Sequence, residues 1–179
     1  MNLVFRMIRV ILAALLGARM DPMGTSVLTF RVLPNDLDAN LHMNNGRYAT
    51  IMDLGRIDLM LRAGLAGVLW RNRWNPVLGS VALRYRRSLA PFEKYRLKTR
   101  MLCWDSKWLY LEQTFETMDG RLAAVGIAKG VFLERGGRVV TTAQLLEAVG
   151  REVPAPPVPP EILAWQEAEQ ALSDRAKAA

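Results

Sequence analysis

The sequence has very few residues of the types that usually bind metals or form cross-links. Its 179 residues include one cysteine, Cys103, and one histidine, His42. A single cysteine cannot form an intramolecular disulfide, and one residue of each type cannot build a zinc site of the cysteine/histidine kind. We therefore expect no metal and no cofactor, and any catalysis has to use other side chains.

Long hydrophobic runs are also missing from the N-terminal segment, residues 1–20. Its longest uncharged stretch, Val10–Ala18, has nine residues, whereas a membrane-spanning helix needs about 20. Its length and basic start allow a signal peptide, although no clean small-x-small cleavage site follows the apolar run. With Arg6 and Arg9 on one helical face, two further alternatives stay open. The segment is either an amphipathic helix lying on a bilayer or a helix packed on its own protein or on a partner subunit. We expect a cytoplasmic protein in which peripheral membrane contact, if it occurs, uses residues 1–20.

Acidic residues are fewer than basic ones. Lys and Arg number 24 against 17 Asp and Glu, so the net charge is +7 and anionic or phosphorylated partners are favoured. Residues 71–107 hold ten basic residues and two acids. This stretch is a solvated sheet face, a surface that attracts anions, or both. Its aromatic residues could stack nucleic-acid bases, but no nucleic-acid motif is present and we expect no such partner.

Hydrophobic periodicity predicts one long buried helix and a set of strands. Residues 46–64 are apolar around most of the helical circumference, which is typical of a helix surrounded by protein. We predict one strand before this helix, at 25–33, and four after it, at 81–87, 95–103, 107–117 and 122–134. The sequence around Pro76 predicts a turn, and Gly126 and Gly130 indicate a close backbone approach or a bulge.

Consecutive antiparallel strands that cover an apolar helix will curl around it. The predicted fold is therefore α+β, with a curved antiparallel sheet wrapped around one long central helix and extra helices at both ends. We divide the chain into the apolar segment 1–20, a central domain at 21–150, and a proline-rich strap with a C-terminal helix at 151–179. Because one chain leaves a sheet edge exposed, we expect a homodimer or a dimer of dimers.

The loop before the long helix carries residues with a recognisable chemistry. Asp38 lies in this loop, and Asn44 and Asn45 occupy N-cap positions. A helix N-terminus offers free N–H groups and about half a positive charge, which can stabilise an oxyanion. A nearby carboxylate can activate water or attack a carbonyl. Together they make a minimal acyl-transfer site, although aspartate and asparagine are also ordinary loop and cap residues.

A resemblance to a known family rests on this same loop. The segment from Asp38 to Tyr48 reads D-A-N-L-H-M-N-N-G-R-Y. It resembles the signature D-x-N-x-H-x-N-N-x-x-Y of the hot-dog-fold acyl-CoA thioesterases of the 4-hydroxybenzoyl-CoA type. The predicted order of strand, long helix and four strands is similar to that fold from about residue 25 to residue 140. The resemblance thus implies a hot-dog fold and thioester hydrolysis.

The resemblance also implies roles for single residues. Asp38 matches the catalytic aspartate, as nucleophile or general base, and Asn45 matches the position whose backbone N–H polarises the thioester carbonyl. His42, Asn44 and Tyr48 match motif positions that shape the loop, and Gly46 between them is a further candidate for substrate binding. For the CoA phosphates, the candidates come from the basic stretch and are Arg84, Arg86, Arg87 and Lys94.

The leading hypothesis is an acyl-CoA thioesterase whose acyl chain lies in an apolar tunnel beside the central helix. The acyl carrier is either CoA or an acyl carrier protein, and both stay open. The alternative is a non-catalytic protein that binds acyl groups or lipids at a membrane surface, which draws on residues 1–20 and on the positive charge.

Overall fold

The computed structural model describes residues 2–178. Within them, helices and strands alternate in the order expected for a helix enclosed by a sheet. The elements are α1 (Asn2–Leu16), β1 (Thr25–Arg31), a short 3-10 turn (Pro34–Asp36), α2 (Asn45–Arg62), α3 (Leu65–Asn72), β2 (Asn75–Tyr85), β3 (Lys94–Trp104), β4 (Leu109–Thr117), β5 (Leu122–Leu133), β6 (Val139–Val140), α4 (Thr142–Val149) and α5 (Pro160–Ala178).

The strands form one antiparallel sheet in the order β1-β3-β4-β5-β2, with β6 paired to β5. The register aligns Leu28 with Leu97, Leu97 with Phe115, and Phe115 with Ala124. Directly opposed residues point to the same face of a sheet, and this row belongs to the core cluster that α2 also enters. The predicted curved sheet around a central helix is confirmed, with β1 and β2 as its two edges.

Helix α2 is the predicted central helix. Its N-cap, Asn44, accepts a hydrogen bond from the Gly46 N–H at 2.8 Å, and the helix ends before Gly64, whose positive φ of 78° suits glycine. Side chains around much of its circumference, among them Tyr48, Ile51 and Leu54, are buried. These contacts agree with the predicted buried helix.

The turn predicted around Pro76 is wrong. Pro76 lies inside β2, paired with Phe132 of β5. A proline is tolerated there because β2 is an edge strand, so the missing N–H need not break a ladder on both sides. The sequence prediction began this strand at residue 81 and did not anticipate α3, which occupies the residues just after α2.

The two glycines of β5 behave differently. A Cβ at Gly126 would lie 2.7 Å from Leu83 Cδ1 and 2.8 Å from Met52 Cε, so Gly126 allows α2 and β2 to approach closely. Gly130 meets only ordinary van der Waals contact, but it pairs with Leu78, where the β2 register shifts. The predicted close approach and the predicted bulge are both present, each at one glycine.

Helix α5 covers the side of the sheet that α2 does not contact. Ile162 of α5 is fully buried and packs with Cys103 and Tyr110. The Tyr110 hydroxyl accepts a hydrogen bond from Gln166 at 2.6 Å, and Lys129 pairs with Glu169 at 2.6 Å. The C-terminal helix therefore belongs to the folded unit.

Helix α1 packs one face on its own chain. Val10 and Ala14 are buried, and the Arg6 guanidinium donates to Asp36 Oδ2 at 2.5 Å and to the Arg31 carbonyl at 2.9 Å. This agrees with the packed-helix alternative for that face, whereas the opposite face is uncovered. Among the described residues, no helix is both long enough and apolar enough to cross a bilayer.

Candidate functional site

The loop between β1 and α2 is held in a compact shape by its own backbone. An isolated bridge joins Leu37 to Met43, and the Asp38 N–H donates to the His42 carbonyl at 2.9 Å. Leu41 at the tip has a positive φ of 57°. At the base, the Met43 N–H donates to the Leu89 carbonyl at 3.0 Å, which ties the loop to the segment after β2.

Asp38 is half-buried in this loop, and one of its carboxylate oxygens shapes it. Oδ1 accepts hydrogen bonds from the backbone N–H groups of Asn40 at 2.9 Å and His42 at 3.3 Å. Within residues 2–178, Oδ2 receives no hydrogen bond. The carboxylate is therefore positioned by Oδ1 and has a second oxygen that can contact a ligand.

His42 supports the loop through its backbone. Its N–H donates to Asp38, and its carbonyl accepts from Asp38, while its side chain is exposed. This placement suits a residue that keeps the loop in shape around a substrate.

The N-terminus of α2 uses the Asn44 cap for some of its N–H groups. The Gly46 N–H is bonded to the Asn44 side chain, and the Arg47 N–H donates to the Asn44 carbonyl at 2.9 Å. No acceptor from residues 2–178 bonds the Asn45 N–H. A Cβ at Gly46 would lie 3.2 Å from Asn44 Oδ1, so glycine keeps this cap tight. The first turn of α2 thus offers the Asn45 N–H to an oxyanion.

Tyr48 anchors the start of α2 by packing. Its buried ring makes edge contacts with Tyr85 and Phe115, at centroid distances of 5.1 and 4.9 Å. Burial raises the pKa of the Tyr48 phenol to about 12, which a backbone hydrogen bond from Leu89 partly offsets. The phenol therefore stays protonated near neutral pH, and Tyr48 contributes to the site by holding the helix in place.

The basic candidates lie close to this helix start. The Tyr85 hydroxyl donates to the Asn45 carbonyl at 2.9 Å, and its sequence neighbours Arg84 and Arg86 are exposed. Arg87 is half-buried, with Glu93 at 3.7 Å. Arg84 and Arg86 thus lie in sequence at the end of β2 that touches the N-terminus of α2, and as a strand neighbour of Tyr85, Arg84 points to the opposite face of the sheet.

An apolar cavity of about 410 Å³ runs beside α2. Thr50, Asp53 and Arg56 are the polar side chains of its wall, and the rest is almost entirely aliphatic. Its walls come from α2, from the inner face of the sheet, and from Leu3 and Met7 of α1. The cavity begins one turn beyond Asn45 and continues toward the C-terminal end of the helix.

Asp53 and Arg56 form a polar pair that the sequence analysis missed. An Arg56 guanidinium nitrogen pairs with Asp53 Oδ1, and another donates to Gln113 Oε1 at 2.6 Å. Gln113 is fully buried and donates to the Met52 carbonyl at 2.8 Å and to Thr99 Oγ1 at 2.9 Å. Burial lowers the pKa of the Arg56 guanidinium, while the Asp53 side chain is 58% exposed.

The sequence contained one indication of this pair, namely an acidic residue within the largely apolar helix α2. Asp53 and Asp58 are the two acids of α2, and Asp58 is buried, where its carboxylate accepts from Ser26 Oγ at 2.6 Å. Asp53 is the acid of α2 that faces open space. Its partner Arg56 also contacts Gln113, which lies 60 residues after Asp53 in the sequence. No local sequence pattern could predict that contact.

Asp36, the other carboxylate of the loop, has a structural role. It is 2% exposed and takes hydrogen bonds from Arg6 and from the Leu33 N–H at 2.9 Å, with Arg47 Nε at 3.5 Å. Its oxygens are engaged by α1, by the 3-10 turn and by α2, so it holds these three elements together.

The described residues do not favour metal binding or catalysis by a thiol. Within residues 2–178, no group of three His, Cys, Asp or Glu side chains is arranged to bind a metal ion. Cys103 is buried beneath α5, and burial raises the pKa of its thiol. The thiol therefore stays protonated near neutral pH, which disfavours a nucleophilic role.

Comparison with known proteins identifies the family of this chain. The model of the thioesterase-like superfamily matches residues 32–166. Protein THEM6 of Xenopus laevis is 34% identical over 135 residues, which cover 75% of this chain and 63% of that protein. The chain spans between half and two thirds of the length of such curated relatives.

Solved structures with low identity share the fold. YbaW, a probable thioesterase from Escherichia coli, gives a TM-score of 0.65 at 17% identity, covering 69% of this chain and 95% of that one. SAV2348 from Staphylococcus aureus, solved in complex with CoA, gives 0.59 at 16% identity, covering 82% and 96%. The predicted hot-dog fold is confirmed. Fold and sequence match together show that this chain belongs to the thioesterase-like superfamily.

Proposed function

We propose that the protein hydrolyses acyl-CoA thioesters. The observation that carries the proposal is the open Asn45 N–H at the start of α2, with the Asp38 loop before it and the apolar cavity after it along the same helix. A thioester carbonyl placed at this N–H would have the Asp38 loop before it and an acyl-sized space after it along the chain. A CoA-bound structure among the neighbours supports CoA as the carrier, and an acyl carrier protein is the second candidate.

In the proposed reaction, the carbonyl oxygen accepts a hydrogen bond from the Asn45 N–H, which stabilises the negative charge that develops on it. The Asp38 carboxylate takes a proton from an attacking water, or attacks the carbonyl itself to form an anhydride that water then opens. In both routes a C–O bond forms, the C–S bond breaks, and the CoA thiolate leaves and is protonated. The products are the free acid and CoA.

The exposed guanidinium groups of Arg84 and Arg86, with Arg87 beside them, are suited to the phosphates of CoA. They lie next to Tyr85, whose hydroxyl reaches Asn45. His42, Asn44, Gly46 and Tyr48 maintain the shape of this opening.

A second copy of the chain is proposed to complete the site. β2 is an edge strand of 11 residues, with Val77 and Leu78 exposed on it. A long edge with exposed apolar side chains favours pairing with another strand. Since Val77 and Leu78 also line the cavity, pairing at β2 would help to close it. A dimer of two chains, or a dimer of such dimers, follows from this proposal.

The direct test is a screen of acyl-CoAs of increasing chain length, with release of free thiol as the measurement. Because the one cysteine of the protein is buried, its own contribution to the thiol signal is small. Release of CoA thiol above the spontaneous rate supports the proposal. Tight binding of acyl-CoA without thiol release would instead support the non-catalytic acyl-binding alternative, which is favoured by the engagement of Asp38 Oδ1 with its own loop.

Replacing Asn45 with proline tests the proposed N–H donor. Proline has no N–H and is well tolerated at the first position of a helix, and Asn44 has φ −58° and ψ 137°, which a residue before proline readily adopts. We expect kcat to fall by about 10²–10³-fold, the usual cost of losing one oxyanion donor. The control is Asn45→Ala, which keeps the N–H and should retain most of the activity. Equal activity of the two variants would remove this N–H from the mechanism.

Replacing Ile57 with tryptophan tests the role of the cavity. Ile57 is half-buried on α2 and lines the cavity, so a larger ring occupies space intended for the acyl chain. We expect kcat/KM for long acyl chains to fall by about 10–100-fold while short chains are affected little. Ile57→Leu conserves volume and should leave the chain-length profile unchanged. An equal fall in kcat/KM at every chain length would show that the cavity does not select the acyl chain.

A further inference from the structure

Helix α1 has an outer face that its own protein leaves uncovered. Its inner side is buried through Arg6, Val10 and Ala14. On the other side, helical spacing brings large apolar side chains onto one face, and all are exposed: Val4, Phe5, Ile8, Leu12, Leu15 and Leu16. Phe5 is 66% exposed, Leu12 54% and Leu16 89%. Large contiguous apolar patches are rare on soluble proteins and mark an interaction site.

The charged residues of the segment that carries this face have one sign. Residues 1–20 contain no acid. Arg6 is used inside the protein by Asp36, but Arg9, at the border of the outer face, and Arg19, just after the helix, are exposed. The whole chain carries a net charge of +7. An anionic surface therefore complements the surroundings of the apolar face.

These properties favour a lipid surface over a second copy of the chain. Two such faces brought together would place like-charged arginines at one interface, which is unfavourable. In addition, Arg6 and Arg9 attach α1 to β1, and β1 is at the opposite end of the strand order from β2, where we place the dimer contact. Pairing at β2 does not require α1.

The dimensions of α1 suit a helix that lies flat on a bilayer. Its 15 residues extend over about 22 Å, and the apolar face runs along its whole length, as in helices that lie in the membrane interface. Its other face is attached to the protein, so the helix cannot insert across the membrane without leaving the fold.

We propose that the outer face of α1 docks on the surface of an anionic phospholipid bilayer. Phe5, Ile8 and Leu12 enter the upper acyl region, and Arg9 and Arg19 contact the phosphates of the head groups. Because Leu3 and Met7 of the same helix line the apolar cavity, docking places that cavity next to the membrane. The docking itself does not depend on whether the protein hydrolyses thioesters.

The test is flotation of the full chain with vesicles in a density gradient. Vesicles of phosphatidylcholine with phosphatidylglycerol are compared with vesicles of phosphatidylcholine alone. We expect the protein to float with the anionic vesicles and to be released by high salt. Phe5→Glu and Leu12→Glu, each tested alone, should reduce the floated fraction about tenfold or more, because a carboxylate on this face is costly to bring into the membrane.

The matched control is Leu172→Glu on α5, where the leucine is 63% exposed and lies outside the proposed face. It should float like the parent protein, and circular dichroism should show that all three variants are folded. The proposal is overturned if the parent protein fails to float, if the α1 variants float equally well, or if neutral vesicles bind as strongly as anionic ones. It is also overturned if Leu12→Glu instead dissociates an assembly of the protein that forms without vesicles.

Discussion

Asp38→Asn is expected to lower kcat for acyl-CoA hydrolysis by about 10²–10⁴-fold, the usual contribution of a positioned acid–base group. The amide retains an Oδ1 that can accept from Asn40 and His42, so the loop keeps the hydrogen bonds that Asp38 makes now. It cannot act as a nucleophile or a general base. KM should change little, since the residues proposed to bind CoA lie elsewhere. Thiol release from the best acyl-CoA of the screen is the measurement.

Asp53→Asn is the matched control for this variant. Asp53 is the carboxylate in the wall of the cavity, held by Arg56, and its replacement leaves Asp38 and the helix start untouched. If Asp53→Asn lost activity and Asp38→Asn kept it, the reacting carboxylate would be Asp53. Because both changes are isosteric, we expect the two variants to unfold at similar urea concentrations. A difference in rate between them is then not caused by unfolding.

Arg6→Ala is expected to reduce the free energy of unfolding by about 3–5 kcal/mol, because it leaves a buried carboxylate without its main partner. The Arg6 and Asp36 side chains are 8% and 2% exposed and 2.5 Å apart. Asp36 would retain the Leu33 N–H and the more distant Arg47, which compensate only in part. Urea unfolding followed by tryptophan fluorescence measures the change.

Arg9→Ala is the control on the same helix. Arg9 is exposed, with a 3.5 Å contact to the Thr29 carbonyl and a guanidinium 5.7 Å from the Phe30 ring, so its loss should cost no more than about 1 kcal/mol. Arg6→Met combined with Asp36→Leu should recover part of the stability, because it removes both charges and keeps apolar volume. Equal effects of Arg6→Ala and Arg9→Ala would contradict the buried ion pair.

Elements of this fold were predicted correctly where the pattern involves residues that are close together in the sequence. Alternation in β3, such as buried Tyr95 and Leu97 beside less buried Arg96 and Lys98, follows from the two faces of a strand. The apolar circumference of α2 predicted a buried helix, and Tyr48, Ile51 and Leu54 are buried on it. Pro76 was misassigned because proline breaks most strands, and only the pairing shows that β2 is an edge.

The candidate site was proposed from residues that are close together in the sequence. Asp38, Asn44 and Asn45 lie within eight residues, so their chemistry could be recognised from spacing and from the resemblance. The Asp53–Arg56–Gln113 connection could not, because Gln113 reaches α2 through the pairing of β4 with its neighbours. The role of Asp36 was hidden for the same reason, since Arg6 lies 30 residues earlier in the chain.

The sequence by itself determined the order of the central helix and the five main strands, the buried character of α2 and the acid–amide loop at its start, because each depends on side chains a few residues apart. Tertiary structure decided which face of α1 is buried, which strands are edges, and that an apolar cavity continues from the helix start along α2. These depend on how distant segments meet. Burial of a charged group such as Arg6 is favourable only when its partner is in place, and that partner is supplied by the fold.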